Sequence, residues 1–512
     1  MIYEKLKYYA ESKPNHIAIV DSIGETTYLE IFEKSIGLMH WFAKNNIKSG
    51  SRIVVAAARG RETAFALYAT LFCGATYIPL ESTIPLDRKL KILSKTNPDV
   101  VIINQEEYGE VSSAGFLALT VVAEKLEEMV NLTVNKAAQW GLNNPSTANM
   151  ENDYPDSLLA YIIFTSGSTG EQKGVCIKRH SIFNFIKKYC VAMGYENGIR
   201  MLGVTSLSGD GSMIQHLCTH YMGGTLYTHN YKLPSELIRF IEKSKITDID
   251  CSATIVKIMT SKVSGISNAN LSDLKRVSYG GDNLPLRYIK ELKKYVPNVD
   301  IYNGYGPTEC TVLSSLYKVE NTLLQKCDDT PVPIGRPFDG VEFLLADTNN
   351  DEHSSVIEGE LLIGGEQVMA GYLNDTELTS NVTVIINNKK YYRTGDVVAF
   401  YENGLYVFKR RKNEMIKIRG YRIFPSEIEN EIRNYAGVKD CYIVKREENG
   451  FVETLRAYII EKDEETVNIA TMIQFLIGKL PSYMIPNNIC VVDNVPIKPN
   501  GKVDRQALSV MK

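Results

Sequence analysis

Residues 161–175 read Tyr-Ile-Ile-Phe-Thr-Ser-Gly-Ser-Thr-Gly-Glu-Gln-Lys-Gly-Val. Thr165, Ser166, Ser168 and Thr169 bring hydroxyl donors, and Lys173 brings a positive charge. Gly167 and Gly170 let consecutive backbone amides approach an anion closely. Behind an apolar, strand-like run, this combination suits the oxygens of a phosphate chain, although a short Ser/Gly run also has the composition of a flexible linker. It is not the usual ATPase loop, which needs Gly-Lys followed by Ser or Thr. Here Lys173 is followed by Gly174, Lys479 by Leu480 and Lys502 by Val503.

Four further segments carry related chemistry. Residues 302–309, Tyr-Asn-Gly-Tyr-Gly-Pro-Thr-Glu, describe a tight loop that displays aromatic rings, an amide and a carboxylate together. An aromatic ring stacks on a purine, Asn303 can pair with an exocyclic amine and a ring nitrogen, and Glu309 can hold Mg²⁺ against phosphates. An ordinary turn ending in a surface glutamate looks the same. In Tyr392-Arg-Thr-Gly-Asp396 the carboxylate suits ribose hydroxyls, or is simply a turn aspartate. Residues 411–429 place Arg411, Lys417 and Arg419 before a helix start at Ser426, Glu427 and Glu429, which reads as a hinge near a nucleotide or as a solvated strand edge. Finally, Asn500-Gly501 predicts a tight turn presenting Lys502, a residue type more often merely solvated.

These groups must be positioned by a large scaffold. The 512 residues suffice for two to four domain-sized units. A net charge of −3 gives no reason to expect nucleic acid or an anionic membrane as partner. Nine scattered cysteines without a CxxC pair fit reduced thiols, and the absence of a signal-type start or a long apolar run predicts a cytoplasmic protein without a membrane span. Apolar runs such as Arg52–Ala56 and Val100–Ile103 alternate with amphipathic stretches, which predicts an α/β fold with mainly parallel sheets covered by helices. From about Asp339, short strands separated by Gly, Asn and Asp predict a small β subdomain. We place a boundary at Asn413, giving units of 1–412 and 413–512, and expect the polar stretch 106–156 to be irregular loop.

In this order, and over nearly the whole chain, these segments resemble the adenylate-forming superfamily. That group includes adenylation domains of nonribosomal peptide synthetases, D-alanine:carrier-protein ligases and acyl- or aryl-CoA synthetases. Leu71–Leu80, Gly359–Gly365 and Leu480–Pro486 match it as well. The resemblance implies an N-terminal region of two mixed or parallel sheet subdomains with helices plus the β subdomain, and a small mobile α+β C-terminal domain. It implies ATP and Mg²⁺, an acyl-adenylate and a thiol acceptor. By motif, Thr165 to Lys173 would hold the β- and γ-phosphates, and Asn303 and Tyr305 would meet adenine. Thr308 would contact the α-phosphate, Glu309 would hold Mg²⁺, and Asp396 and Arg411 would take the ribose. Lys502 would stabilise charge in the adenylation step, and Asn413 would be the hinge, where the family usually has Asp or Lys.

Within Ser208–Ser212, Asp210 occupies the position at which amino-acid-activating members bind the α-ammonium, although Gly209 replaces the usual aromatic. The resemblance then gives Gly211, Ile214, Asp250, Val277, Tyr279, Gly280, Gly304, Val312 and Leu313 as pocket positions. Asp250 could meet a side-chain amine, a guanidinium or a hydroxyl, while Tyr279 could fill the pocket and restrict it to a small residue. The leaning is toward a polar or basic amino acid. Only ten residues follow Lys502. Either a free-standing ligase loading a phosphopantetheinylated carrier protein in trans, the expectation that Met1 favours, or an excised module fits this, with an acyl- or aryl-CoA ligase as the alternative activity.

Overall fold

The computed structural model describes residues 2–130, 155, 157–165, 172–328, 330–349, 356–412, 416–418, 421–448, 452–462, 466–496, 503 and 505–511. Two large sheets dominate. The first has seven strands, in the order Gly371–Tyr372, Lys173–Lys178, Leu159–Thr165, Thr76–Pro79, Arg52–Ala56, Val100–Ile103 and Leu119–Val122. Its central strands are apolar on both faces, as parallel strands under helices must be. Val55, Tyr77 and Tyr161 enter the main core, while Val54, Ile78 and Ile162 enter a separate cluster on the other side.

The second sheet has nine strands, and its middle runs Asp300–Tyr305, Arg276–Gly280, Asp248–Ser252 and Arg200–Gly203 in parallel. Helices including Tyr28–Lys44, Arg61–Phe72 and Arg179–Ala192 pack into the core shared with the first sheet. The first of these starts at a full capping box, with Thr27 bonded to the Glu30 amide and the Glu30 side chain reaching back. The small β subdomain pairs Val341–Asn349, Val356–Gly365, Lys389–Tyr401, Thr383–Ile386 and Tyr406–Arg411.

After residue 416 comes a hairpin, Ile416–Ile418 with Tyr421–Ile423, then a three-stranded sheet covered by helices Pro425–Arg433 and Ile469–Ile477. These elements share their own core of Ile428, Ile432, Ile443, Leu455, Met472 and Leu476. The boundary expected at Asn413 lies outside the described residues. The stretch from 106 departs from expectation. Gln105–Ser113 is a helix and Leu119–Val122 is an edge strand, paired in parallel with Val100–Ile103. A helix with Val111 as its one buried residue leaves almost no apolar periodicity to read. All nine cysteines are free, and no helix among the described residues is long and apolar enough to cross a membrane.

Candidate functional site

Three parallel strands end at one level, with Ser252, Gly280 and Gly304 in register. Their carboxyl ends, the end of Leu159–Thr165 and the 204–214 segment enclose a cavity of about 340 Å³. A crevice at strand carboxyl ends is the usual ligand position in open α/β sheets. Of the residues expected in the substrate pocket, Asp210, Gly211, Ile214, Asp250, Gly280, Val312 and Leu313 line it, together with Thr165 and Thr308. Among the described residues the Thr165 hydroxyl oxygen is buried without a hydrogen-bond partner, a donor held ready in a ligand-sized space.

Val277 and Tyr279 do not line this cavity. Strand residues alternate faces, and these two point into the second hydrophobic cluster behind the sheet. Ser278, absent from the expected set, lines the cavity in their place and lies in register with Asp250. The pocket pattern along this strand is therefore displaced by one residue, and Tyr279 does not restrict the pocket.

The 204–211 loop is held from two sides. Glu81 accepts from the Ser206 hydroxyl at 2.7 Å and the Leu207 amide at 2.9 Å. The buried Gln215 carboxamide donates to the Asp250 carbonyl at 2.7 Å and to the Thr205 hydroxyl at 2.8 Å. Gln215 lies in a π-type turn, Ile214–Cys218, a local widening common at functional sites. Asp250 is buried, and Tyr189 donates its hydroxyl to Oδ2 at 2.7 Å. Burial pushes the Asp250 carboxyl up to about 7, with Tyr189 and Ser278 opposing the rise and Asp210 adding to it.

A second cavity of about 130 Å³ adjoins the first and shares Gly281, Gly306 and Lys417 with it. Asn303, Gly304, Tyr305 and Arg411 line this one. Gly304 was expected in the first cavity. It sits instead at the wall between them, where a Cβ would come within 2.8 Å of the Leu313 side chain. Asn303 donates to the Pro333 carbonyl at 2.8 Å. Asp396 stands behind, accepting from the Tyr305 hydroxyl at 2.7 Å and pairing with Arg411 at 3.3 Å. Asp396 and Arg411 are register partners across two strands, which fixes their pairing.

Beside Thr308, Glu309 is buried and its Oε1 accepts from the Tyr372 hydroxyl at 2.8 Å. Lys173 donates to that same hydroxyl at 2.8 Å and lies 3.4 Å from Glu309. Tyr372 thus joins two predicted residues, a role with no local sequence signal. Among the described residues no group of three or more His, Cys, Asp or Glu side chains could hold a metal unaided. One buried carboxylate beside Thr308 nevertheless suits Mg²⁺, which takes most of its ligands from phosphate and water. The residues present fit that ion.

The elements after 416 reach the site. Lys417 lines both cavities, and Tyr421 and Tyr483 line the first, their rings stacked at 3.8 Å and 7°. Arg88 pairs with Glu427 at 3.0 Å, both buried. Glu453 is bonded by Thr254 at 3.1 Å, Lys257 at 3.2 Å and Lys445 at 3.0 Å. Ser166, Gly167, Ser168, Thr169, Gly170, Asn413 and Lys502 lie outside the described residues.

Residues 6–373 match the model of a family described as AMP-binding enzyme, and residues 427–502 match that of the AMP-binding enzyme C-terminal domain. A linear gramicidin synthase polypeptide of Brevibacillus parabrevis is 30% identical over 99% of this chain and 10% of its own length. Gramicidin S synthase 2 of Brevibacillus brevis is 28% identical over 99% of this chain and 11% of its own length. The chain thus spans about a tenth of these relatives. Three solved structures share the fold. NpsA-ThdA, an artificially fused adenylation-PCP di-domain from Klebsiella oxytoca, has TM-score 0.78 at 23% identity, covering 95% of this chain and 93% of its own. AlmE of Vibrio cholerae, an adenylation domain solved with glycyl-adenosine-5'-phosphate, has TM-score 0.80 at 19% identity, with 99% and 96% covered. MenE, the o-succinylbenzoate CoA synthetase of Bacillus subtilis, has TM-score 0.79 at 18% identity, with 99% and 98% covered.

Proposed function

The chain belongs to the AMP-binding enzyme family, and from that premise we propose that it is an AMP-forming ligase that activates an amino acid as its aminoacyl-adenylate. It then transfers the aminoacyl group to the phosphopantetheine thiol of a carrier protein supplied in trans. One observation carries the reading. A cavity containing Asp210 and Asp250 opens onto one lined by Asn303, Tyr305 and Arg411, across shared Gly281 and Gly306.

In the first half-reaction a substrate carboxylate oxygen attacks the α-phosphorus of ATP and pyrophosphate leaves. The nucleophile is already anionic, so no general base is needed. The protein's work is positioning and neutralising charge. Asp210 takes the α-ammonium and aims the carboxylate toward Thr308, which contacts the α-phosphate. Thr165, the 166–170 loop and Lys173 hold the β- and γ-phosphates. Asn303 and Tyr305 hold adenine, and Asp396 and Arg411 hold the ribose. Glu309 is the residue to bind Mg²⁺, whose charge would offset that of the phosphates. Lys502 stabilises the charge that builds between carboxylate and phosphorus, and the unit after Asn413 then rotates to admit the thiol. The amino-acid reading rests on Asp210, which lines the first cavity and which the resemblance sets against the α-ammonium.

ATP–pyrophosphate exchange over amino acids and their desamino analogues tests this. Exchange with amino acids and not with the analogues is expected. Equal exchange with analogues would transfer the case to an acyl- or aryl-CoA ligase.

A further inference from the structure

The wall of the first cavity holds a carboxylate with no cation among its described contacts. Asp250 lies on the strand floor, and the groups that contact it among the described residues are the Tyr189 hydroxyl, Ser278 and, more distantly, Asp210. No basic side chain is among them. Arg88 and Lys417 are the basic residues that line the cavity among those described. Arg88 pairs with Glu427, and Lys417 extends to the second cavity. The Ser278 hydroxyl, 1% exposed in the cavity wall beside Asp250, has no well-formed hydrogen bond of its own. Ile214, Ile255, Ile258 and Leu313 supply apolar wall. Tyr279, which could have filled the pocket, points away into the cluster behind the sheet.

A cavity wall that combines these apolar side chains with a carboxylate matches a methylene stem with a charged tip. A hydroxyl at that tip would add little, because Tyr189 already donates one and Ser278 stands ready with another. The missing contribution is positive charge, which compensates a buried anion without its taking up a proton. Burial pushes the Asp250 carboxyl up to about 7, as expected of a carboxylate awaiting such a partner.

We infer that the amino acid activated here carries a second positively charged nitrogen, an amine or guanidinium on its side chain, and that Asp250 selects it. The inference rests on the amino-acid reading above and narrows it.

The test is ATP–pyrophosphate exchange with lysine, ornithine, 2,4-diaminobutyrate and arginine against norleucine, norvaline, citrulline, serine and threonine. One basic member should exceed its neutral isostere at least tenfold in kcat/KM, with amine and guanidinium arms separating the two tips. Asp250→Asn should reduce that ratio at least tenfold, with the loss falling on exchange with the basic amino acid. A neutral amino acid that matches or exceeds every basic one overturns the inference and leaves amino-acid activation standing. So does an unchanged ratio in the variant. Exchange with desamino carboxylates alone overturns both. The wild-type panel decides the matter even where the variant fails to fold.

Discussion

At the scale of single residues, the adenylation step asks for one cation at the moment when carboxylate oxygen approaches phosphorus. Lys502 is the residue assigned to it by motif, and on that proposal its contribution belongs to the transition state. Preorganised charge of this kind is worth about 4 kcal/mol, roughly a thousandfold in rate. Lys502→Ala is therefore expected to lower pyrophosphate exchange about a thousandfold while ATP binding, measured by calorimetry, stays within a few-fold. Near-normal exchange in that variant would remove Lys502 from the mechanism. The nucleotide residues illustrate the opposite economy, in which binding groups are fixed by each other. Asp396 orders both Tyr305 and Arg411, so the side chains assigned to base and ribose are oriented before ligand arrives.

At the scale of elements, the wall of the first cavity depends on a short piece of strained backbone. Thr311 and Val312 have φ of 57° and 66°, unusual for residues with a branched Cβ. The Leu313 amide bonds to the Thr311 carbonyl at 2.9 Å, which closes a γ-turn of the disfavoured hand about Val312. Gly306 makes room for it, since a Cβ there would lie 2.5 Å from the Leu313 Cα. The fully buried Gln367 holds the turn by donating to the carbonyls of Leu313 at 2.7 Å, Cys310 at 3.2 Å and Thr311 at 3.3 Å. Gln367→Ala leaves these carbonyls short of a donor and is expected to cost about 1–3 kcal/mol in urea unfolding. The turn presents Val312 and Leu313 to the first cavity, so the amino-acid KM should rise several-fold and the ATP KM little. An unchanged amino-acid KM in the folded variant would show that the turn does not shape the pocket. None of this strain was legible in Thr311-Val312, where branched residues suggest extended strand. The α/β alternation, the β subdomain and most cavity residues were legible, because periodicity and the glycine-rich loops are local signals. Ser278 was missed for a reason intrinsic to strands, since a one-residue slip exchanges the two faces. Tyr372 and Gln367 were invisible because their partners lie far away in sequence.

At the scale of the whole molecule, the elements after 416 are held against the rest by buried charge, and buried charge is sensitive to pH. Glu427, on the helix Pro425–Arg433, meets Arg88 from the N-terminal region. The groups that act on it are Arg88, which favours the anion, and Glu431, which opposes it; Tyr483 also senses its charge. Burial outweighs Arg88 and pushes the Glu427 carboxyl up to about 7. Released into water, the same carboxyl returns to its ordinary value near 4.5. The docked arrangement therefore binds a proton that the undocked one does not hold between those two values. By linkage, docking is favoured fully below the lower value and loses that advantage as pH rises through about 7. The second clasp does not counter this. Lys445, between Asp282 and Glu453, is held above its ordinary value and stays charged throughout the range. Small-angle scattering or a dye pair across the two units should show a more compact population at pH 5.5 than at pH 8. Glu427→Gln, neutral at both, should stay compact and lose the dependence. A dependence of opposite sign, or one that survives in Glu427→Gln, would place the controlling group elsewhere. Because the hairpin carrying Lys417 and Tyr421 docks with this unit and lines the first cavity, the same proton would bias how long that cavity stays closed.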